Sequence, residues 1–348
     1  VERLRRRTEE RRAPDKAAAH ALQWGMPILE SSIALIDGRS LFYRGQDVAT
    51  LARSRSLEEV AAMIWTGQFE TTRATSIAHI APPKPSDPFI TRAQTMLAVA
   101  AARDPLAFDL RPASVALTGG RILRLLTRAA TASDPGGTTV DAALARHWHV
   151  GAAGAEIVRA ALVLSADHEL NVSSFTARCV ASAGSHPYAV VIAGLAALEG
   201  PKHGGASARA ESMLESLSRR GRPLHAAVGD RLRRGESIDG FGHPLYRDGD
   251  PRARLLLDLL GERYPKSAEH RFVKEFAQAA TAATGEHPNI DFGLAAVARV
   301  LKLTRGAPLM LFAIGRSVGW IGHAIEQYAT GQLIRPRAKY VGVPPATG

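Results

Sequence analysis

Residues 168–207 read HELNVSSFTARCVASAGSHPYAVVIAGLAALEGPKHGGAS. Two segments rich in Ala, Val, Leu and Ile meet at Gly184-Ser185-His186-Pro187-Tyr188. Helices built almost wholly from such residues bury most of their surface. The stretch therefore predicts two central helices joined by a tight turn. Each outer end carries a histidine in a polar, turn-prone setting. Asp167-His168-Glu169-Leu170-Asn171 precedes the pair, and Gly200-Pro201-Lys202-His203-Gly204-Gly205 follows it. Polar ends on buried helices are where a large helical protein can place a cleft.

Upstream, residues 152–166 form an Ala/Val/Leu helix that delivers His168. A helix is expected over 115–130, although Gly119-Gly120 weakens its first turns. Residues 91–102 are also helical, and 81–88 hold four prolines and must be loop. Ser56 and Glu59 form a capping box that opens a helix burying Leu57, Val60 and Ile64. Apolar alternation over 33–43, at Ile33 and Leu35 and then Leu41 and Tyr43, brackets Asp37-Gly38 and predicts a β-hairpin. Residues 1–16, VERLRRRTEERRAPDK, read as a remnant helix end or linker behind an earlier segment.

Downstream, a helix runs through Met213 and Leu217. Residues 240–246 (GFGHPLY) form a loop, and Pro251 opens another helix from a first-turn position. Helices are expected over 271–284 and 293–301, with a turn at 288–292 between them. The last long helix covers 308–328 and carries Arg316, Trp320 and His323. Residues 334–337 are basic and extended. The fold class is all-α apart from the hairpin.

Composition narrows the function. A chain of 348 residues, 46% apolar, has room for one large domain or two ordinary ones with a sizeable core. No apolar run reaches the ~18 residues that span a bilayer, and the charged start lacks a secretory apolar stretch. One cysteine, Cys179, leaves no internal disulfide and no Cys-cluster metal site. A buried thiol in a reducing, cytoplasmic compartment is expected. The net charge of +11 comes from scattered basic residues apart from a cluster at 3–16, so an anionic substrate explains local arginines more simply than nucleic acid does. No glycine-rich strand–loop–helix unit or Walker A loop is present, which argues against a dinucleotide fold.

Three histidines, His168, His203 and His243, share a setting of Gly, Pro, Asp or Asn outside any regular apolar face. Each fits a cap or a surface position as well as a ligand contact, and their spacing fits no compact zinc motif. The helix start after His203 presents free N–H groups to an anion. Asp291, beside Phe292, reads either as a helix cap or as a base in a water-poor cleft. Arg252, Arg316 and Arg335 are candidate carboxylate clamps, since guanidinium binds carboxylate through two parallel bonds. Arg316 stands out because AIGRSVGWIGHAI is too apolar to hold a charge without a partner. His147, His149 and His323 have weaker settings.

At these residues the chain resembles the citrate synthase family. The similarity runs through FYRGQD (42–47), SLEEVAAMIWTG (56–67), HELNVSSFTARCVAS (168–182), GPKHGGA (200–206), GFGHPLY (240–246), DPRA (250–253), NIDF (289–292), GRSVGWIGHAIEQ (315–327) and IRPR (334–337). The resemblance implies an all-α two-domain fold. A large helical domain would hold 17–205 and 301–348, and an inserted small domain, 206–300, would close over substrate. It implies a homodimer that condenses acetyl-CoA with oxaloacetate, as in the tricarboxylic acid cycle, with the CoA thioester as substrate and no cofactor or metal. Under it His203 hydrogen-bonds the thioester oxygen, Asp291 takes the methyl proton, and His243 polarises the ketone. His168, Arg252 and Arg316 would bind oxaloacetate, with Arg335 donated by the other subunit.

The sequence also departs from the family pattern. Pro244 stands where an arginine is usual, leaving Arg247 as the basic residue for CoA. Ser207 replaces the asparagine of GGAN, and Lys202 replaces an apolar residue. Residues 1–12 resemble the end of a MerR-like helix-turn-helix module, which would make a ligand-sensing regulator without turnover an alternative. A 2-methylcitrate synthase using propionyl-CoA is another.

Overall fold

The computed structural model describes residues 29–71, 80, 84, 86–218 and 223–343. The expectations for residues 1–16, and most of the proline loop at 81–88, lie outside them. The hairpin forms as β1 (Ala34–Asp37) and β2 (Ser40–Tyr43), antiparallel with Ala34 opposite Tyr43. A short β3 (Gln46–Asp47), not foreseen, pairs with β2. Leu41 and Tyr43 point into the core, but Leu35 is 58% exposed. Ile33 lies ahead of β1, so its burial does not propagate by strand alternation.

Fourteen helices follow among the described residues: α1 (Val48–Ser54), α2 (Leu57–Thr66), α3 (Phe89–Arg103), α4 (Pro112–Thr131), α5 (Val140–His147), α6 (Ala152–Leu164), α7 (Val172–Ser182), α8 (Pro187–Glu199), α9 (Gly205–Ser218), α10 (Leu224–Arg233), α11 (Pro251–Arg263), α12 (Ala268–Thr284), α13 (Ile290–Val300) and α14 (Ala307–Thr330). The capping box is present, with Ser56 Oγ accepting from Glu59 N and Glu59 returning to Ser56 N. Helix α4 starts at Pro112 and runs straight through Gly119, whose missing side chain makes room for the Trp65 ring. Cys179 is only partly buried, because α7 turns that face away from the core.

Helix α14 is the hub. It packs against α2, α4, α6, α7, α8, α9 and α13. Trp65 of α2 donates its indole N–H to Val318 O at 2.9 Å, and Trp320 is fully buried beneath α8. The predicted central pair, α7 and α8, lies against this hub. Asp104, at the end of α3, accepts from Tyr188 Oη of α8 at 2.7 Å and from Arg121 of α4 at 2.9 Å. Helices α9 to α13 pack chiefly on one another and reach the rest through α1, α6 and α14. Exposed ion pairs cross this boundary: Arg39–Asp248, Arg53–Glu262 and Arg263–Glu156. Among the described residues no helix is long and apolar enough to cross a membrane.

Candidate active site

The loop after α6 is fixed from two sides. Tyr43 Oη donates within the α6 end, 3.2 Å from Val163 O and 3.1 Å from Asp167 O, and accepts from Asp167 N at 3.1 Å. On the other side the bare backbone of α14 meets it, with Gly319 N donating to Ala166 O at 2.9 Å. A Cβ at Gly319 would lie 2.3 Å from Asp167 Oδ1, and one at Gly315 2.4 Å from Leu162 O. This close approach sets His168 beside Arg316. Glu169 then takes a left-handed backbone (φ 51) to lead into Asn171, a conformation that costs a non-glycine residue about 1–2 kcal/mol.

Arg316 is 1% exposed. Its Nε donates to Ser165 O at 2.8 Å, its Cζ lies 4.7 Å from the Phe312 ring centroid, and its buried Nη1 has no hydrogen-bond partner. Burial pushes its pKa down to about 10, so it remains a cation at neutral pH. A buried guanidinium with an unused N–H is a place for an anion. His168 Nε2 lies 2.9 Å from Tyr246 Oη, and its ring centroid is 5.2 Å from that of His243. Burial, then Arg252 and Arg316, hold its pKa well below the usual imidazole range. His323, fully buried, lies 3.2 Å from Asp167 Oδ1 behind these groups.

His243, Arg252 and Asp291 are clipped together by two side chains. Asn289 caps α13 by accepting from Asp291 N at 3.0 Å, and its amide donates to Gly242 O at 3.0 Å. Backbone bonds from Gly242 N to His287 O and from Asn289 N to Gly240 O, both 2.8 Å, complete the clip. Asp250 caps α11 and binds Arg252 through Nε at 2.9 Å and Nη2 at 2.7 Å, while also accepting from Ile290 N at 3.0 Å. Residues 288–292, expected to be a turn, therefore already belong to α13 from Ile290 onward. The cap is Asn289, not Asp291, because the Asn289 side chain is the one that reaches the free N–H groups.

The tautomer of His243 follows from one bond. Leu245 N donates to its Nδ1 at 3.2 Å, so Nδ1 is an acceptor and the ring proton sits on Nε2. Burial and then Arg252 lower its pKa to about 4, so Nε2–H is a neutral donor at pH 7. His203 is likewise brought to about 4 by burial and Arg316. Its Nε2 lies 2.9 Å from Ser173 Oγ, which accepts the Trp320 indole N–H at 3.1 Å. The Ser173 proton has two possible acceptors, His203 Nε2 and Asn171 Oδ1 at 2.8 Å. When it points to His203, the ring proton is on Nδ1. Asp291 accepts a hydrogen bond from Ser207 Oγ, and burial raises its pKa above the usual carboxylate value.

The sequence-predicted residues His168, His203, His243, Arg252, Asp291 and Arg316 thus converge. Arg252 arrives already paired to Asp250, which the sequence did not foretell. Arg335 does not join them. It lies exposed on the tail, where Ile334 N donates to Ser182 Oγ at 3.1 Å at the far end of α7 from Ser173. Arg247, Pro244 and Lys202 are exposed. His147 is the last residue of α5 and His149 follows it, and neither takes part in the contacts above. Sequence reasoning missed Ser173, Tyr246, Asp250, Asn289 and Trp320 as site builders. The cap pattern Asn-x-Asp at 289–291 and Asp-Pro at 250–251 was the available signal.

Residues 21–80 and 91–337 match the family model for citrate synthase, C-terminal domain. The chain is 37% identical over 192 residues to citrate synthase 2 of Bacillus subtilis, a match covering 54% of this chain and 51% of that protein, about half its length. It is 29% identical to the citrate synthase of Haloferax volcanii, covering 91% of this chain and 94% of that one. The crystal structure of citrate synthase from Thermotoga maritima matches with a TM-score of 0.74 and 26% identity, over 93% of this chain and 96% of that one. With motifs, fold and a match across nearly the whole chain in agreement, the protein belongs to the citrate synthase family.

Proposed function

We propose that the protein is a citrate synthase that condenses acetyl-CoA with oxaloacetate and water to give citrate and CoA. The observation that carries this reading is the convergence of two neutral imidazoles, one carboxylate of raised pKa and a buried, incompletely bonded Arg316. Asp291 takes a methyl proton while His203 donates a hydrogen bond to the thioester oxygen, stabilising the enolate charge as it develops. The enol carbon attacks the ketone carbon of oxaloacetate, and His243 Nε2–H protonates the ketone oxygen. Arg316, Arg252 and His168 hold the carboxylates of oxaloacetate, and Arg247 reaches CoA. Water then hydrolyses the citryl thioester and releases CoA. The CoA thioester is a substrate, and no cofactor or metal is drawn on.

The working unit of this proposal is a homodimer in the cytoplasm, where the lone Cys179 suits a reducing compartment. Helix α8 is apolar all round yet leaves Ala196 exposed and Ala189, Ile192 and Ala193 partly so, a face that suits a second subunit. An 11-residue helix is about 16 Å long, so Arg335 at one end of α7 is remote from its own site at the other and suits the partner's. Residues 17–205 with 301–348 form the large domain, and 206–300 form the small one that closes. The three exposed ion pairs across that boundary are each worth about 0–1 kcal/mol, weak enough to break and re-form.

The test is CoA release with oxaloacetate, comparing acetyl-CoA with propionyl-CoA. Faster turnover with acetyl-CoA is expected. A preference for propionyl-CoA replaces the reading with 2-methylcitrate synthase, since one methylene changes selectivity by only about 1–3 kcal/mol. Binding of both ligands without turnover overturns the enzymatic reading in favour of a ligand sensor.

A further inference from the structure

We infer that Ser207 is a positioning residue for the general base, holding one oxygen of Asp291 and leaving the other to take the proton. This rests on Asp291 being the base of the proposed reaction. Ser207 lies in the first turn of α9 and is 1% exposed. Its hydroxyl has one proton, and that proton goes to Asp291 Oδ1. The base is fixed from the other side by its own backbone, since Asp291 N donates to the Asn289 side chain at 3.0 Å. The backbone bond sets where the side chain starts, the Ser207 bond holds Oδ1, and Oδ2 remains for a substrate.

The same turn places the enol-stabilising imidazole. Ala206 N donates to His203 O at 3.0 Å, so the tight turn that presents His203 also aims Ser207 at Asp291. The spacing His203-Gly204-Gly205-Ala206-Ser207 thereby couples the position of the oxyanion donor to that of the base across 84 residues of sequence. A hydroxyl bonded to a carboxylate also favours the ionised form. Burial acts the other way and raises the Asp291 pKa, and the Ser207 bond is the largest effect opposing it. A serine hydroxyl can do what the side-chain amide of the family's usual asparagine would do as a donor, over a shorter reach.

The experiment measures kcat/KM against pH for the wild type, Ser207→Ala and Ser207→Asn. In parallel, the Asp291 carboxyl is followed by carbon-13 NMR, assigned by its loss in Asp291→Asn. The base must be ionised, so a higher Asp291 pKa moves the acid limb upward. Loss of one charge-assisted bond shifts that limb by about one pH unit in Ser207→Ala and lowers turnover about tenfold below it. The KM for oxaloacetate stays unchanged, and Ser207→Asn restores the limb towards wild type. An unshifted limb in Ser207→Ala, or an equal fall at every pH, overturns the inference. A wild type without turnover refutes the proposed function alone. The NMR midpoint then decides the bond itself, with a rise in Ser207→Ala upholding Ser207 as the group that keeps Asp291 ionised and no change refuting it.

Discussion

Asp250→Asn isolates the joint that assembles half of the site. The Asp250 side chain accepts four bonds, from Arg252 N, Nε and Nη2 and from Ile290 N, at 2.7–3.0 Å. Asparagine keeps one acceptor oxygen for the first two. Its NH2 group then faces two donors, Arg252 Nη2 and Ile290 N. Arg252, only 3% exposed, is left without its counter-charge. Removing one partner of a buried ion pair costs about 3–5 kcal/mol, a large share of the ~5–15 kcal/mol that stabilises a folded protein. The pH dependence has a definite sign. Asp250 has a folded pKa below its ordinary value, with Arg252 opposing and outweighing the effect of burial. Its contribution is present above about pH 4 and is lost as pH falls through the folded pKa. Urea unfolding from pH 7 down to about pH 3 should show a gap between wild type and variant that is widest at neutral pH and narrows in acid. A gap under about 1 kcal/mol at pH 7, or one that does not change with pH, would refute the reasoning.

Other expectations follow from the same geometry. Gly319→Ala forces a Cβ against Asp167 Oδ1 and Ala166 O, so it should cost about 1–3 kcal/mol in thermal unfolding and raise the KM for oxaloacetate. An unchanged KM would show that the loop tolerates the shift. The His203 and His243 rings should titrate near pH 4 by NMR, and a midpoint near the ordinary value of about 6.5 would refute their depression by burial and the neighbouring arginines. Because their folded pKa values are depressed, the stability they support is complete above about pH 6.5 and declines as pH falls towards 4. Mixing inactive Arg335→Ala with inactive Asp291→Asn should restore turnover if Arg335 serves the partner's site, and continued inactivity of a confirmed mixed dimer would place it elsewhere.

The central pair α7 and α8 was legible because apolar composition and helical length coincide there. The capping box at Ser56 and the hairpin turn were legible because their signals are local. Helices α5 and α10 were not foreseen. Each is short, and α10 buries only Ala227 and Val228, so its charged sequence carries little periodic signal. The site histidines were visible through their glycine- and proline-rich settings. Their partners were not, because His168 meets Tyr246, and Ser207 meets Asp291, across 78 and 84 residues. Such pairs depend on how helices cross, which no local pattern encodes. Asp291 was assigned to a turn because Pro288-Asn289 reads as one until the asparagine is seen capping a helix.

The position of α14 at the hub has a consequence for how the chain is made. Helices α2, α4, α6, α7 and α8 all rest on it, yet it is the last helix of the described chain to be synthesised. At roughly 5–20 residues per second, the apolar side of α2 waits on the order of 10–50 s for its partner. During that interval several apolar helices are finished but unseated. Arg316 and Trp320 arrive with α14, so the buried guanidinium beside His168 and the support for His203 come into being together at the end of folding. Under the proposed function, the first measurable turnover by a nascent chain would therefore report that the core has closed.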